Sequence, residues 1–358
     1  MIVGPNLDLN GKRLLFIKPS SLGDVCHAVA SAWALKARWP GLHVTWLVNR
    51  TFEPLLKGVA CVDETLSFDR ARFKGLLTLF RERSALRAFV QSLRQGCFDV
   101  ALDLQGLLRS GMFAWLSNAP VRLGFAKARE GSRMFYTHPV DTPAGPIHAR
   151  DRYDALTAAL GCAKPPREDL DVGPAERSRL HELLSREGFS GERMVAVCPG
   201  ARWESKRWPP LQFARVLDEL AGHGAGQPLI VGSPDMAEIC REVAAACKLA
   251  RPVDLCGRTG LRELTALLDE CELLLTCDSG PMHIAAAQGT PVVAVLGPTD
   301  PLRTGPYGQL DHVVSGECEL MPCLKRHCPG LGDKCMKDLD ARRVIEKALA
   351  LLNAGRRK

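Results

Sequence analysis

With 358 residues, 46% of them hydrophobic and 24% charged, the chain has a globular composition and is too long for one core, which suits two domains of ordinary size. No apolar run approaches the roughly 20 residues of a membrane span, and residues 1–11 lack the apolar core of a signal peptide, so a cytoplasmic protein is expected. The formal net charge of +7 lies wholly in the first half: residues 1–175 hold 23 Lys+Arg against 16 Asp+Glu, leaving 24 of each in 176–358. A one-sided positive field implies an acidic partner for that half, such as a phosphorylated substrate, an anionic membrane surface or nucleic acid; the alternative is a merely solvated basic face.

In chain order, Arg13 to Lys18 reads as a short apolar strand, followed by the polar turn PSSLGD and a helical pattern from Val25 to Arg38. Asp24 falls at the helix start, at the carboxyl end of the strand, where a carboxylate serves either as a cap or as a base. His43 to Val48 and Cys61 to Leu66 predict two further strands. Arg70 to Gln95 is a long basic amphipathic segment whose apolar side carries Phe73, Leu76, Leu77, Phe80, Leu86, Phe89, Val90 and Leu93. Its arginines form either a solvated face or a contact with anionic lipid. Phe98 to Leu104 is a strand leading into QGLLRSG, which puts Arg109 just past a strand end. Val121 to Phe125 is another, followed by a loop with Lys127, Arg129 and Arg133.

Cys162 to Pro174, with three prolines among charges, reads as the interdomain linker. Its Asp169 and Asp171 have the Asp-x-Asp spacing of metal-dependent sugar transferases, but a linker is the wrong place for such a site. Beyond it the alternation restarts: helix from Ala175, strand Met194 to Cys198, the turn PGARWESKRWPP, a helix to Gly222, strand Pro228 to Val231, the turn GSPD, a helix through Cys247, strand Val253 to Cys256 and a helix near Leu261 to Asp269. Then comes LLLTCDSGPMHIAAAQGTPVVAVLGPTDP, a strand, a tight turn at Asp278–Ser279–Gly280, a small-residue helix to Gln288 and a second buried strand. Pro281 at the helix start lacks an N–H that would have no partner anyway, and the free N–H groups after it suit an anion. Strand and helix alternating twice across a linker predict two doubly wound, Rossmann-like α/β domains facing across a cleft, with ligands at the carboxyl ends of the strands.

Ten of the fourteen cysteines are scattered and act as small buried hydrophobes. Cys318, Cys323, Cys328 and Cys335 cluster as C-x4-C-x4-C-x6-C, which departs from CxxC pairs. A structural zinc, unligated thiols and a labile disulfide are the three readings.

KPSSLGDVCHAV, PGARWESKRWP, CDSGPMHIAAAQGTPVVAVLGPTDP and the later PYG resemble the family 9 glycosyltransferases, the ADP-heptose lipopolysaccharide heptosyltransferases. ALDLQGLLRSG, ARE at Ala128 to Glu130 and HARDRYDAL at His148 to Leu156 look closer to the heptosyltransferase I branch. The resemblance implies a GT-B fold, with an acceptor-binding domain at 1–165, a nucleotide-sugar-binding domain at 166–336 and a C-terminal helix at 337–358 returning to the first. It implies an inverting, metal-independent transfer of heptose from ADP-L-glycero-D-manno-heptose to a Kdo-lipid A core, needing no cofactor. Asp24 then looks like the general base and Lys206 like the cation on the donor phosphates. Asp278, Ser279, Gly280, Met282 and His283 look like the donor-binding turn, with Asp278 accepting from heptose hydroxyls. Asp235 or Glu238 meets the ribose. Lys18, Arg109, Lys127, Arg129 and Arg133 are the candidate acceptor binders. A monomer lying peripherally on the anionic cytoplasmic face of the inner membrane is expected, with no nucleic-acid partner. A GT-B nucleotide-sugar epimerase and a non-catalytic sugar-nucleotide or glycolipid binder are the alternatives.

Overall fold

The computed structural model describes residues 7–69, 72, 82–143, 145, 147–189, 193–330 and 332–355. The chain forms two compact units, the first ending at Asp171 and the second beginning at Val172.

In the first unit, β1 (Arg13–Ile17), β2 (His43–Asn49), β3 (Glu64–Phe68), β4 (Val100–Asp103), β5 (Val121–Phe125) and β6 (His138–Val140) form one parallel sheet in the order β3-β2-β1-β4-β5-β6. The central strands are apolar without alternation because both faces are covered: Leu14, Leu15, Phe16 and Ile17 are all fully buried. The covering helices include α1 (Leu22–Arg38), α2 (Arg83–Gln95), α3 (Leu108–Leu116) and α4 (Ala149–Ala159). Phe89 and Leu93 of α2 join Phe68 and Phe113 in one core cluster, the three phenylalanine rings lying 4.9–5.3 Å apart. Of the apolar side assigned to 70–95, Phe73, Leu76, Leu77 and Phe80 lie outside the described residues.

The second unit repeats the plan. β7 (Met194–Cys198), β8 (Gln227–Ile230), β9 (Val253–Asp254), β10 (Leu273–Cys277), β11 (Val292–Leu296) and β12 (Val313–Ser315) run parallel in the order β12-β11-β10-β7-β8-β9. Around them lie α5 (Pro174–Arg186), α6 (Pro210–Gly222), α7 (Ala237–Ala246), α8 (Leu261–Glu270), α9 (Gly280–Gln288) and α10 (Ala341–Gly355). Counted from its own first strand, each sheet has the order 3-2-1-4-5-6, which reverses direction between strands 1 and 4. Ligands of such sheets bind at that switch point, beyond the carboxyl ends of the strands. The fold is thus the two-sheet α/β architecture of GT-B transferases.

Two boundaries differ from the sequence reading. The proline-rich segment is a structured part of the first unit as far as Asp171: Trp33 Nε1 donates to Asp169 O (3.1 Å) and the Ala60 N–H to Asp171 (2.8 Å). The C-terminal helix, expected to close the first domain, packs in the second unit. Val344, Ala348 and Leu352 of α10 are buried in the second unit's core, where the helix covers α6 and the face of β10 and β11. The pattern in the sequence shows that α10 has one apolar face, but not which sheet that face closes.

Candidate active site

At the first switch point, β1 leads into α1 and brings Asp24 into that helix's first turn. One oxygen, Oδ2, accepts from the Ser21 N–H (2.9 Å) and the Ser21 hydroxyl (2.8 Å), so Asp24 is a cap. The other, Oδ1, accepts from the Tyr153 hydroxyl at 2.6 Å and lies 3.6 Å from Lys18 Nζ. Burial favours the protonated acid, but the Lys18 ammonium and the donors of Tyr153 and Ser21 outweigh it, holding the carboxyl well below the ordinary carboxylate range. Lys18 itself is 2% exposed, donates to Leu104 O (3.3 Å), and has its pKa lowered by burial against the opposing pull of Asp24 and Asp103. Although it groups with the acceptor binders in sequence, its ammonium is engaged from inside the fold.

At the end of β4, the fully buried Asp103 accepts from the Gln105 N–H (2.8 Å), the Gly106 N–H (3.1 Å) and Tyr136 Oη (2.7 Å), fixing the turn that leads to Arg109. Arg109 is exposed, its guanidinium 5.7 Å from the Phe68 ring centre. The loop after β5 is tied to the same place. The Arg129 N–H donates to Gly106 O (3.0 Å) and the Leu108 N–H to Glu130 (3.2 Å). A Cβ on Gly111 would meet Ser132 and Phe135 at 3.0 Å, so only glycine allows α3 this close to the loop. Arg109, Arg129 and Arg133 therefore project from two touching segments, with Lys127 exposed on the same loop. A cavity of about 450 Å³ opens beside them, lined by Ser20, Asn49, Gln105, Arg109, Met112 and Glu130 among others. The sequence reading missed the apolar residues here: Leu108 (45% exposed), Met112 (38%) and Trp115 (53%) follow i, i+4, i+7 along α3, and Met134 (77%) sits on the adjoining turn.

At the second switch point the charges are reversed. Lys206 closes the single helical turn Glu204–Lys206 after β7, and its ammonium donates to Asp278 Oδ2 at 2.7 Å while lying 4.6 Å from the centre of the Trp203 ring. Asp278, at the end of β10, is buried and also accepts from Thr299 (2.6 Å) and, at longer range, Thr304 (3.4 Å). Three donors on one oxygen make it the anchor of Lys206. Ser279 precedes α9 without a capping side-chain hydrogen bond, and the helix starts at Gly280 and ends before Gly289, which is in a left-handed cap conformation. The side chain of Met282 is fully buried, which leaves its backbone N–H as the group it can offer; His283 is half-buried one turn in. Asp235 and Glu238 are both exposed after β8, on either side of Met236, whose side chain fills the space where a Cβ on Gly200 would stand (2.7 Å).

The late cysteines are a correction. Among the described residues no group of three or more His, Cys, Asp or Glu is placed to hold a metal ion, and all four are free thiols, so the zinc reading is not supported. Cys335 packs into the second core against Gly297 and Met336, its thiol pushed up to about 11 by burial and by its neighbours Cys318, Cys323 and Cys328. Asp169 and Asp171 are both engaged by Arg167 (2.5 Å each).

The model of the family described as Glycosyltransferase family 9 (heptosyltransferase) matches residues 86–332. The chain is 29% identical over 309 residues to the lipopolysaccharide core heptosyltransferase OpsX of Haemophilus influenzae, covering 85% of this chain and 84% of that protein. It is 27% identical over 322 residues to lipopolysaccharide heptosyltransferase 1 of Pseudomonas aeruginosa, covering 88% and 87%. Among solved structures, a family 9 glycosyl transferase from Veillonella parvula superposes with a TM-score of 0.83 at 25% identity, covering 98% and 100% of the two chains. The ADP-heptose lps heptosyltransferase II of E. coli does so at 0.76 and 26%, covering 96% and 99%. Type 1 and type 2 enzymes thus match at nearly equal identity, and the lean of the motifs toward the first branch is not separated by them. The chain belongs to glycosyltransferase family 9, the heptosyltransferases, and is a glycosyltransferase.

Proposed function

We propose that the protein moves heptose from ADP-L-glycero-D-manno-heptose to the Kdo-containing inner core of a lipid A glycolipid, with inversion at the anomeric carbon. The observation that carries this reading is the pair of oppositely arranged ion pairs at the two switch points. In the first unit the carboxylate is the more accessible member (Asp24 side chain 31% exposed, Lys18 3%); in the second it is the ammonium (Lys206 16%, Asp278 6%). An inverting transfer needs that division of labour: a base for the acceptor hydroxyl and a cation for the departing diphosphate. Asp24 takes the acceptor proton. Lys206 and the backbone N–H groups opening α9 take up the negative charge that develops on the ADP. Asp278, whose Oδ2 is filled by Lys206 and the threonines, serves this reading first as the residue that aims Lys206.

The acceptor side favours an acidic glycolipid at a membrane. Arg109, Lys127, Arg129 and Arg133 meet its phosphates and Kdo carboxylates. Leu108, Met112, Trp115 and Met134 beside them suit the apolar boundary of an anionic bilayer. The test is to incubate the protein with ADP-heptose and with Kdo-lipid A, unheptosylated or bearing one heptose, in anionic vesicles. ADP release and mass gain are expected with the unheptosylated acceptor, falling as salt rises. Turnover only on the heptosylated acceptor would move the protein to the second step, and preference for a UDP-sugar would overturn the donor.

A further inference from the structure

The two oxygens of the Asp24 carboxylate are held by partners of different burial. Tyr153, which donates to Oδ1, is 4% exposed and sits on α4, a helix packed along α1. The face of its ring carries Lys18 Nζ at 4.6 Å from the centre, and Lys18 is buried and tied to Leu104 O. Neither side chain can withdraw without opening the α1–α4 contact, where His27 and His148 also stack edge to face at 4.7 Å. Ser21, on Oδ2, is exposed; its backbone N–H stays on that oxygen, but its hydroxyl needs only a turn about one bond to leave. An incoming hydroxyl can displace Ser21 Oγ; it cannot displace Tyr153.

We propose that Tyr153, backed by Lys18, is the positioning residue of the transfer reaction: it anchors Oδ1 of Asp24 and thereby assigns Oδ2 as the atom that receives the acceptor's proton. The inference rests on the reading of Asp24 as the base. In the step itself, the acceptor O–H proton passes to Oδ2 and the oxygen's electron pair forms the bond to the anomeric carbon. The bond from that carbon to the diphosphate oxygen breaks, and its electron pair leaves with the ADP. The groups facing the carboxylate and its two anchors are Lys18 just after β1, Cys26 from α1, Asp103 from β4, Arg129 from the loop after β5, and Arg152 with Tyr153 from α4. Of these, Tyr153 is the one whose contribution a single-atom change removes.

Tyr153→Phe keeps the ring under Lys18 and deletes only the donor. A donor to the ionised form lowers a carboxyl pKa, so its loss raises that of Asp24. The acid limb of kcat/KM for the acceptor should then move to higher pH by about one to two units, the worth of a hydrogen bond to a charged group. Acceptor kcat should fall while KM for the ADP-sugar stays put. Lys18→Met should shift the limb in the same direction, and it serves as the second probe if Tyr153→Phe melts early. A Tyr153→Phe profile superimposable on the parent's, in a protein of unchanged thermal stability, overturns the proposal. So does a parallel change in kcat and donor KM without movement of the limb, which is the mark of a structural role. Asp24→Asn run alongside separates the two failures. If it turns over near the parent's rate, the base reading has failed and this inference with it; if its kcat falls by about 100-fold or more and the Tyr153→Phe limb has not moved, only the positioning role has failed.

Discussion

The two units share a strand order and differ in which partner of a buried ion pair is left in reach. Each places a Lys and an Asp just beyond the strands that flank its switch point, Lys18 with Asp24 and Lys206 with Asp278. In the first, the lysine is sealed inside and the aspartate sits at a helix start, where the Lys18 ammonium and the donors of Tyr153 and Ser21 keep it ionised. In the second, the aspartate is sealed under Thr299 and Thr304, and the lysine rides on a short turn against Trp203. On the proposed reading the same pair, buried from opposite ends, serves as a base in one unit and as a phosphate-binding cation in the other. Burying one member costs desolvation that the partner offsets; the accessible member is the one left to meet substrate.

That contrast can be broken one residue at a time. Asp24→Asn removes the base and should lower kcat by about 10²- to 10⁴-fold, read as ADP release under saturating substrates. Lys206→Ala should lower kcat/KM for the ADP-sugar by about 10- to 100-fold, the worth of a charged hydrogen bond, with most of the loss on the donor side. Thr299→Val deletes one of the donors that hold Asp278 and should raise donor KM by only about 2- to 10-fold, with acceptor KM unchanged, in steady-state assays varying each substrate. If Thr299→Val equals Lys206→Ala in effect, Asp278 itself meets the donor and the anchoring account of the second unit fails.

Much of this is readable in the chain before folding. The apolar runs of β1, β5, β7, β10 and β11 stand within a residue of their observed limits because central parallel strands are buried on both faces. β3 starts three residues later than its apolar run, since Cys61 is a buried loop residue. The edge strands His138–Val140 and Val313–Ser315 are too short to show a period. α3 goes unassigned from the sequence, where Gly106 and Gly111 interrupt the helical pattern, and this hid the Leu108–Met112–Trp115 stripe. Asp24, Lys206 and Asp278 are legible from strand ends and resemblance. Their partners are not, because Tyr153 lies 129 residues from Asp24 and Asp278 lies 72 from Lys206. No local pattern encodes such pairings; the sheet order makes them.

The most direct measurement is calorimetric titration of ADP-heptose into the parent, Asp24→Asn and Lys206→Ala proteins side by side, with transfer assayed on the same preparations. The account predicts that Asp24→Asn binds the donor like the parent yet transfers at least about 100-fold more slowly, while Lys206→Ala binds it at least about tenfold more weakly. Donor affinity lost in Asp24→Asn and kept in Lys206→Ala would contradict the division of roles between the two units.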